Sequence, residues 1–171
     1  MLFAHIVHPI DGVAMNTSTT AWSPTKKSEP REVLIAAFWG FSSNRQLLKD
    51  SERLLQIKEG LSADLFQAMR VTFNLQKCCL EQLLNVSIST LERRRREQKP
   101  LDSIASERLD RIAFICALAE DVFESRETTV QWMSKPNKAL GRGTPIMLCE
   151  TEIGGKQVRH VLHALEWGGA A

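Results

Sequence analysis

The stretch that decides the fold reads LEQLLNVSISTLERRRREQ, from Leu80 to Gln98. Leu80, Leu83 and Leu84 recur at spacings of three and four residues, which predicts one apolar helix face. Asn85 interrupts the run, and asparagine tolerates the left-handed conformation that ends many helices. An apolar helix, a turn and a second helix in this order predict the second and third helices of a helix-turn-helix.

The second helix of this motif can begin at either of two serines. Ser87 can cap a helix by accepting a hydrogen bond from a free backbone N–H. Ser89 with Glu92 offers a competing start, because Ser-x-x-Glu is a capping box. Leu91 is the expected buried anchor of the helix with either start.

Four consecutive arginines, Arg93 to Arg96, follow that anchor. Duplex DNA carries one negative charge about every 1.7 Å of its axis, and a short helix with an arginine cluster suits a major groove. A solvated basic helix face is the alternative, but the preceding helix and turn favour DNA binding. Arg93 is expected to read bases, whereas Arg94 and Arg95 are expected to reach phosphates. The predicted DNA-binding residues are Ser87, Ile88, Ser89, Thr90, Arg93, Arg94, Arg95 and Arg96.

The composition fits a small globular protein with one local basic patch. The chain has 171 residues, of which 43% are hydrophobic, and a formal net charge of only +2. No apolar run reaches the ~20 residues that a membrane-spanning helix needs. The N-terminal MLFAHIVHPIDG lacks the basic start of a signal peptide. We therefore expect a cytoplasmic protein without membrane contact.

Neither metal nor catalytic motifs are apparent. His160 and His163 are three residues apart, but no third ligand is spaced to complete a metal site. The sequence holds no phosphate-binding loop and no nucleophile with a suitable set of partners, so we expect no cofactor, no metal and no enzymatic activity. The cysteines lack CxxC spacing and are expected to be buried or inert thiols in a reducing cytosol. They are Cys78, Cys79, Cys116 and Cys149.

Periodicity along the rest of the chain predicts an all-α fold. Residues 32–41 predict a helix that Gly40 and Ser42-Ser43 end. Residues 47–58 predict an amphipathic helix with Leu54 and Leu55 on its apolar face.

The longest regular signal follows a cap at Asp102 or Ser103. Its apolar stripe has close to ideal helical spacing and fits either a core helix or a dimer seam, of which the core helix is the safer interpretation. The stripe consists of Leu109, Ile112, Ala113, Cys116, Ala119, Val122 and Phe123.

Near the end of the chain, Gly154-Gly155 is expected to separate a short helix from a last helix over Lys156–Trp167.

These signals divide the chain into three parts. Residues 1–30 are expected to form a flexible N-terminal tail, because small polar residues dominate much of it. Residues 31–123 are expected to form a helical DNA-binding domain, with the helix-turn-helix at about residues 76–98. Residues 124–171 complete the chain as a smaller helical unit.

An ordered string of motifs fills this smaller unit. It begins with Trp132-Met133 and ends with Trp167-Gly168. Between them stand KPNKALG (135–141), TPIML (144–148) and ETEIG (150–154). This string resembles the toxin-binding domain of the Xre/MbcA/ParS antitoxin family. The N-terminal half resembles that family's Xre-type DNA-binding domain, so the resemblance covers about residues 45–169.

The resemblance implies an N-terminal Xre-like helix-turn-helix bundle followed by a small helical toxin-binding domain. It implies an antitoxin that neutralises a cognate toxin, most often a RES-domain protein that consumes NAD, by covering the toxin's active site. It further implies repression of the operon through operator DNA, where a homodimer within a larger toxin–antitoxin complex is expected. The chain departs from the family pattern at Glu81, Arg94, Arg142, Gly155 and Trp167.

The implied toxin-binding surface lies at the end of the chain. The residues after Glu166 are slim enough to enter a cleft, although a frayed helix end is the alternative. A different class of function also fits: a stand-alone helix-turn-helix transcriptional regulator whose C-terminal helices only dimerise it. The predicted toxin-binding residues are Arg159, His160, His163, Glu166, Trp167, Gly168 and Gly169.

Overall fold

The structure is a computed structural model, and it describes residues 29–168. Over this range the chain forms nine α-helices, one short 3-10 turn and no strand, so the predicted all-α fold is confirmed. The helices are α1 (Arg31–Leu47), α2 (Asp50–Glu59), α3 (Asp64–Thr72), α4 (Lys77–Leu84), α5 (Ile88–Arg96), α6 (Ser103–Phe123), α7 (Arg126–Ser134), α8 (Pro145–Leu148) and α9 (Glu152–Glu166). The 3-10 turn, Lys138–Leu140, precedes α8.

Helix α6 is the central element and packs against α1, α2, α4, α7 and α9. Its N-terminus is fixed by Asp102, whose side chain accepts a hydrogen bond from the Ala105 backbone N–H at 2.9 Å. Leu109, Ile112 and Cys116 are fully buried within the same chain. The core interpretation of the apolar stripe is therefore confirmed, because these side chains are not free to form a dimer seam.

Helix α1 is longer than predicted, and the prediction that it ends at Gly40 is wrong. The helix continues to Leu47 because both sides of Gly40 are anchored in the core. Before it, Phe38 packs edge-on against Phe73, with 5.3 Å between the ring centroids. After it, the Ser42 hydroxyl donates to the Ala113 carbonyl at 2.7 Å. These contacts outweigh the ~1 kcal/mol that glycine costs inside a helix.

The predicted apolar face of α2 is also wrong. The helix begins at Asp50, and Leu54 and Leu55 are 53% and 57% exposed. Helix α2 is held instead by Arg53, whose guanidinium donates to the buried Asp110 carboxylate of α6 and lies over the Phe114 ring. A charged contact therefore replaces the expected hydrophobic one, which periodicity of apolar residues does not reveal.

Helix α9 begins four residues earlier than predicted, and the separation expected at Gly154-Gly155 is wrong. Thr151 caps the helix by accepting a hydrogen bond from the Gly154 backbone N–H at 3.1 Å. Gly154 and Gly155 are then buried within the first turn, where α9 meets α8 and α6. A Cβ on Gly154 would overlap the Leu148 carbonyl oxygen. The glycines therefore permit close helix packing and do not break the helix.

The predicted N-terminal tail falls almost entirely outside the described residues. In the part of the chain that the structure covers, no helix has the length and apolar character needed to cross a membrane.

Candidate functional sites

The turn of the helix-turn-helix is built as the sequence predicts. Asn85 takes the left-handed conformation, with φ 55° and ψ 35°, and ends α4. Ser87 caps α5, and its hydroxyl accepts a hydrogen bond from the Thr90 backbone N–H at 3.4 Å. Of the two possible starts, the structure therefore uses Ser87. Ser89 lies two residues further on, within the first turn of α5, and is exposed.

Glu81 closes this turn from the other side. Its carboxylate accepts a hydrogen bond from the Ile88 backbone N–H at 2.7 Å. That N–H is the first in α5 and has no acceptor within the helix. A carboxylate at a helix N-terminus also interacts favourably with the helix dipole. Glu81, which departs from the family pattern, thus stabilises the start of α5, a role that the sequence analysis missed.

The four arginines of α5 divide between two faces around the buried Leu91. Arg94 donates to the Pro100 carbonyl at 2.7 Å, and Arg95 donates to the Asp64 carboxylate at 3.0 Å. Both are half-buried, whereas Arg93 and Arg96 are exposed on the outward face. The other predicted DNA-binding residues lie in the first turn, where Ser87 and Ser89 are exposed and Ile88 and Thr90 are half-buried.

An ion pair between Glu97 and Lys99 lies just after α5. Lys99 lies 3.0 Å from the exposed Glu97 carboxylate, and its hydrogen bond, followed by its positive charge, lowers the pKa of Glu97. Arg93 and Arg96 lower the same pKa to a smaller extent. Glu97 and Lys99 thus form an ion pair just after α5, while Arg93 and Arg96 are exposed on its outward face.

The four cysteines differ in their burial. Cys116 and Cys149 are buried, and burial raises the pKa of Cys149 to about 12 and that of Cys116 well above its ordinary value. Cys78 is not buried but exposed in the first turn of α4, so of the two predicted alternatives only that of an inert thiol is left for it. Burial raises the pKa of its half-buried neighbour Cys79. Within residues 29–168, no group of three or more His, Cys, Asp or Glu side chains could hold a metal ion.

The last helix presents the predicted toxin-binding residues on two neighbouring faces. Arg159 lies at the flank and donates to Glu152 at 2.6 Å. His160 is fully turned outward, as is Trp167, which is 86% exposed. His163 lies 3.4 Å from the Glu166 carboxylate. Gly168 is exposed as well, and Gly169 lies outside the described residues.

Two arginines of α6 connect these surfaces. Arg108 donates to the Gln82 and Leu83 carbonyls at the end of α4, at 3.0 and 3.2 Å. One turn further along, Arg111 donates to the Cys149 and Glu150 carbonyls just after α8, each at 3.0 Å. Both arginines satisfy carbonyl groups that a helix leaves unpaired at its C-terminal end. Helix α6 therefore fixes the helix-turn-helix and the C-terminal helices to one scaffold.

A polar groove of about 480 Å³ lies between α2, α6 and α9. Three arginines line it, and each meets a carboxylate: Arg53 meets Asp110, Arg111 meets Glu107, and Arg159 meets Glu152. The groove is thus a region of paired charges between helices.

A helix-turn-helix with exposed arginines on its second helix, joined to a separate helical unit, defines a DNA-binding regulator with an added interaction module. Comparison with family models is consistent with both halves. The antitoxin Xre-like helix-turn-helix domain matches residues 51–113, and the antitoxin Xre/MbcA/ParS C-terminal toxin-binding domain matches residues 118–168. The chain belongs to the Xre/MbcA/ParS-type antitoxin family.

Three curated relatives extend this finding. Antitoxin Xre of Yersinia enterocolitica is 29% identical over 153 residues, which covers 86% of this chain and 97% of the relative. Antitoxin Xre of Pseudomonas putida is 35% identical over 77 residues, or 45% of this chain and 48% of the relative. A Sphingobium protein named Prs ADP-ribosylating antitoxin is 25% identical over 129 residues, or 70% of this chain and 81% of the relative.

The predicted family and its coarse function are therefore confirmed. The protein is an antitoxin of a toxin–antitoxin system, with a helix-turn-helix for DNA and a domain for its toxin. The family is regulatory and not enzymatic.

Proposed function

We propose that this antitoxin neutralises a RES-domain toxin that consumes NAD, by covering the toxin's active site, and represses its own operon through operator DNA. One observation carries the proposal: the chain holds an exposed arginine helix and a toxin-binding domain on the common scaffold of α6. The matched toxin-binding domain favours this function over a stand-alone regulator whose C-terminal helices serve only to dimerise it.

The toxin-binding part of the proposal concerns the end of α9 and the residues after it. Trp167 and Gly168 project from the helix end, and Gly169 to Ala171 extend the chain further. A narrow terminus of this kind can enter a substrate cleft. Arg159, His160, His163 and Glu166 supply polar contacts around it. The proposal therefore separates a terminus that blocks the active site from a helix surface that holds the toxin.

Co-expression with the toxin gene beside this gene tests the proposal. The toxin alone should stop growth and deplete cellular NAD, and the full-length antitoxin should prevent both. Truncation after Glu166 should restore toxicity, because it removes the blocking terminus while leaving the buried face of α9 intact. Circular dichroism melting checks that the truncated protein is folded. Full protection by a folded truncated antitoxin would refute insertion of the terminus.

In the DNA-binding part of the proposal, the outward face of α5 contacts the bases of the operator. Arg93 and Arg96 are exposed there, and an arginine can form two hydrogen bonds with a guanine, worth ~1–3 kcal/mol of discrimination. The first-turn residues Ser87 to Thr90 lie at the end of the helix that enters a groove in this motif. Arg94 and Arg95 keep intrachain acceptors, but an arginine has five N–H donors, so each retains donors for a phosphate.

Substitution of Arg93 by alanine should weaken operator binding by ~1–3 kcal/mol and relax specificity at one base position, while toxin neutralisation persists. Fluorescence anisotropy with an operator fragment at fixed salt measures the change. Lys138→Ala, which removes an exposed cation from the C-terminal unit, is the matched control and should leave operator affinity unaltered. Equal affinity of the Arg93 variant and the wild type would contradict the assignment.

We also propose that the antitoxin acts as a homodimer, because paired half-sites on DNA require paired recognition helices. The outward face of α1 supports this. It carries no charged residue from Val33 to Leu47, and these two side chains are 52% and 82% exposed. Val33 lies seven residues before Gly40 and Leu47 seven residues after it, so two antiparallel copies crossing at Gly40 would pair Val33 with Leu47. A two-fold interface requires this self-complementarity.

Replacing Leu47 by aspartate should weaken self-association ~10-fold or more, since a buried leucine contributes ~1.5–3 kcal/mol. Sedimentation equilibrium measures the dimer constant, and operator affinity should fall with it. Leu55→Asp, which makes the same substitution at a leucine of α2 that is 57% exposed, is the control. An unchanged dimer constant for the Leu47 variant would exclude this face as the interface.

A further inference from the structure

The outward face of α9 carries a ridge of exposed side chains, with a large apolar residue at each end, that the fold itself does not use. Its five side chains follow one another at alternating intervals of four and three residues, and all are exposed. This spacing places them in one row along the helix. The ridge consists of Ile153, Gln157, His160, Ala164 and Trp167.

The two ends of the ridge are large apolar side chains with little contact to the chain. Ile153 is 76% exposed and Trp167 is 86% exposed. The opposite face of α9 already packs against α6, where Val158 and Leu162 are fully buried. The ridge is therefore not required for packing, and its ends are about 21 Å apart at 1.5 Å per residue.

Polar side chains flank the ridge, of which Lys156 and His163 are exposed. Glu152 accepts from Arg159 at 2.6 Å, and Glu166 lies 3.4 Å from His163. A complementary surface would therefore offer apolar pockets to Ile153 and Trp167 and polar groups to Gln157 and His160 between them.

We propose that this ridge is the helix by which the antitoxin docks into an apolar groove of its toxin, with Ile153 and Trp167 as the two anchors. Anchors at intervals of three and four residues on one helix face are how amphipathic helices bind in grooves. The toxin is the occupant because the ridge lies within the matched toxin-binding domain. This inference rests on the proposed function and adds Ile153, which is remote from the blocking terminus, to the toxin-binding surface.

In this arrangement, the ridge provides affinity for the toxin, and the residues after Trp167 inhibit it. The ridge holds the toxin over the length of α9, and this contact brings the residues after Trp167 to the toxin's active site. A change at Ile153 therefore lowers the affinity for the toxin although it leaves the blocking terminus intact.

The test is calorimetric titration of the full-length antitoxin against the purified toxin encoded beside its gene. Ile153→Asp should weaken binding ~10-fold or more, because an isoleucine anchor is lost and a carboxylate is placed in an apolar groove. Ile153→Leu should bind within a few-fold of the wild type. Leu55→Asp, which introduces the same charge at an exposed apolar position on α2, should bind as the wild type does. The melting temperature and operator affinity of the Ile153 variants should be unchanged.

Each outcome separates the two proposals. If the wild-type antitoxin does not bind the toxin at all, the proposed function fails. If the wild type binds and Ile153→Asp binds equally well, the ridge is not the docking helix. If Ile153→Asp instead loses self-association with toxin binding unaltered, a second copy of the chain covers the ridge, and the inference is overturned.

Discussion

Replacing Gly154 by alanine should destabilise the protein by ~2 kcal/mol, although alanine is the better helix former. A Cβ at this position would overlap the Leu148 carbonyl oxygen and lie 2.8 Å from the Leu148 carbonyl carbon. Both atoms belong to the backbone, so a side-chain rotation cannot relieve the overlap. Overpacking of this kind costs ~1–3 kcal/mol and occasionally more, against a gain of up to ~1 kcal/mol in helix propensity.

The adjacent glycine is the matched control. A Cβ on Gly155 would meet side-chain atoms and no backbone atom, the Arg111 Cδ at 3.1 Å and the Ile115 Cδ1 at 3.2 Å. These buried side chains need to shift by only a few tenths of an ångström, so Gly155→Ala should change the free energy of unfolding by ~1 kcal/mol or less. Urea denaturation of both variants measures the difference. Equal stability of the two would show that α8 and α9 can separate without cost, contrary to their close packing.

The substitution Gly154→Ala should also weaken toxin binding more than operator binding. Helix α9 carries the toxin-binding surface, and its first turn is fixed by Thr151 and by contact with α8. Gly154→Ala displaces this turn, so toxin binding should weaken more than operator binding at temperatures where the variant remains folded. The helix-turn-helix does not contain the substituted position, and its side-chain link to this region is the exposed hydrogen bond that Gln82 of α4 donates to the Glu150 carboxylate at 2.9 Å.

The sequence predicted those parts of the fold in which local pattern and tertiary packing agree. Leu80, Leu83 and Leu84 are all fully buried, and Asn85 has the left-handed conformation expected of it. The stripe of α6 lies in the core for the same reason, although α6 is covered on several sides and also buries Asp110, Arg111 and Ala117 outside the stripe. In these elements the residue type at each position is explained by one local rule.

The errors arose where a tertiary contact decides the local structure. Gly40 resembles a helix end, but Phe38 and Ser42 anchor the chain on both sides of it. Gly154 resembles a break, but its small size is needed at a contact with Leu148, six residues earlier in the chain. Leu54 resembles a buried anchor of α2, a role that the charged Arg53 takes in its place.

The candidate sites show the same division. The arginine run indicated DNA binding and distinguished Arg93 from Arg94, but only the fold reveals the Pro100 carbonyl to which Arg94 donates. Glu81 was missed because its partner, the Ile88 N–H, is a backbone group across the turn. Ile153 was missed because it precedes the predicted start of the last helix. With the helix start placed correctly at Glu152, the interval of seven residues between Ile153 and His160 would have placed Ile153 on the exposed face.

Substituting Asp110 by asparagine should cost ~3–5 kcal/mol, the usual effect of breaking a buried ion pair by removing one partner. The Asp110 side chain is only 3% exposed and accepts from two arginines, Arg45 of α1 at 3.2 Å and Arg53 of α2. Arg45 is equally buried. The neutral amide leaves the buried Arg45 guanidinium without a counter-charge, whereas the partly exposed Arg53 keeps Asp50 at 3.6 Å. Since small domains are stable by ~5–15 kcal/mol, the melting temperature should fall sharply.

Glu120→Gln is the control, because its partner Arg126 is 54% exposed and exposed pairs contribute ~0–1 kcal/mol. A second comparison isolates the origin of the loss. If it comes from uncompensated charge, Arg45→Met combined with Asp110→Leu should recover part of it, because replacing a buried pair with apolar residues is often neutral or stabilising. Arg53 would then turn towards solvent, which its 17% exposure already permits. A double variant as unstable as Asp110→Asn would mean that the hydrogen bonds joining α1, α2 and α6, and not the charges, hold the three helices together.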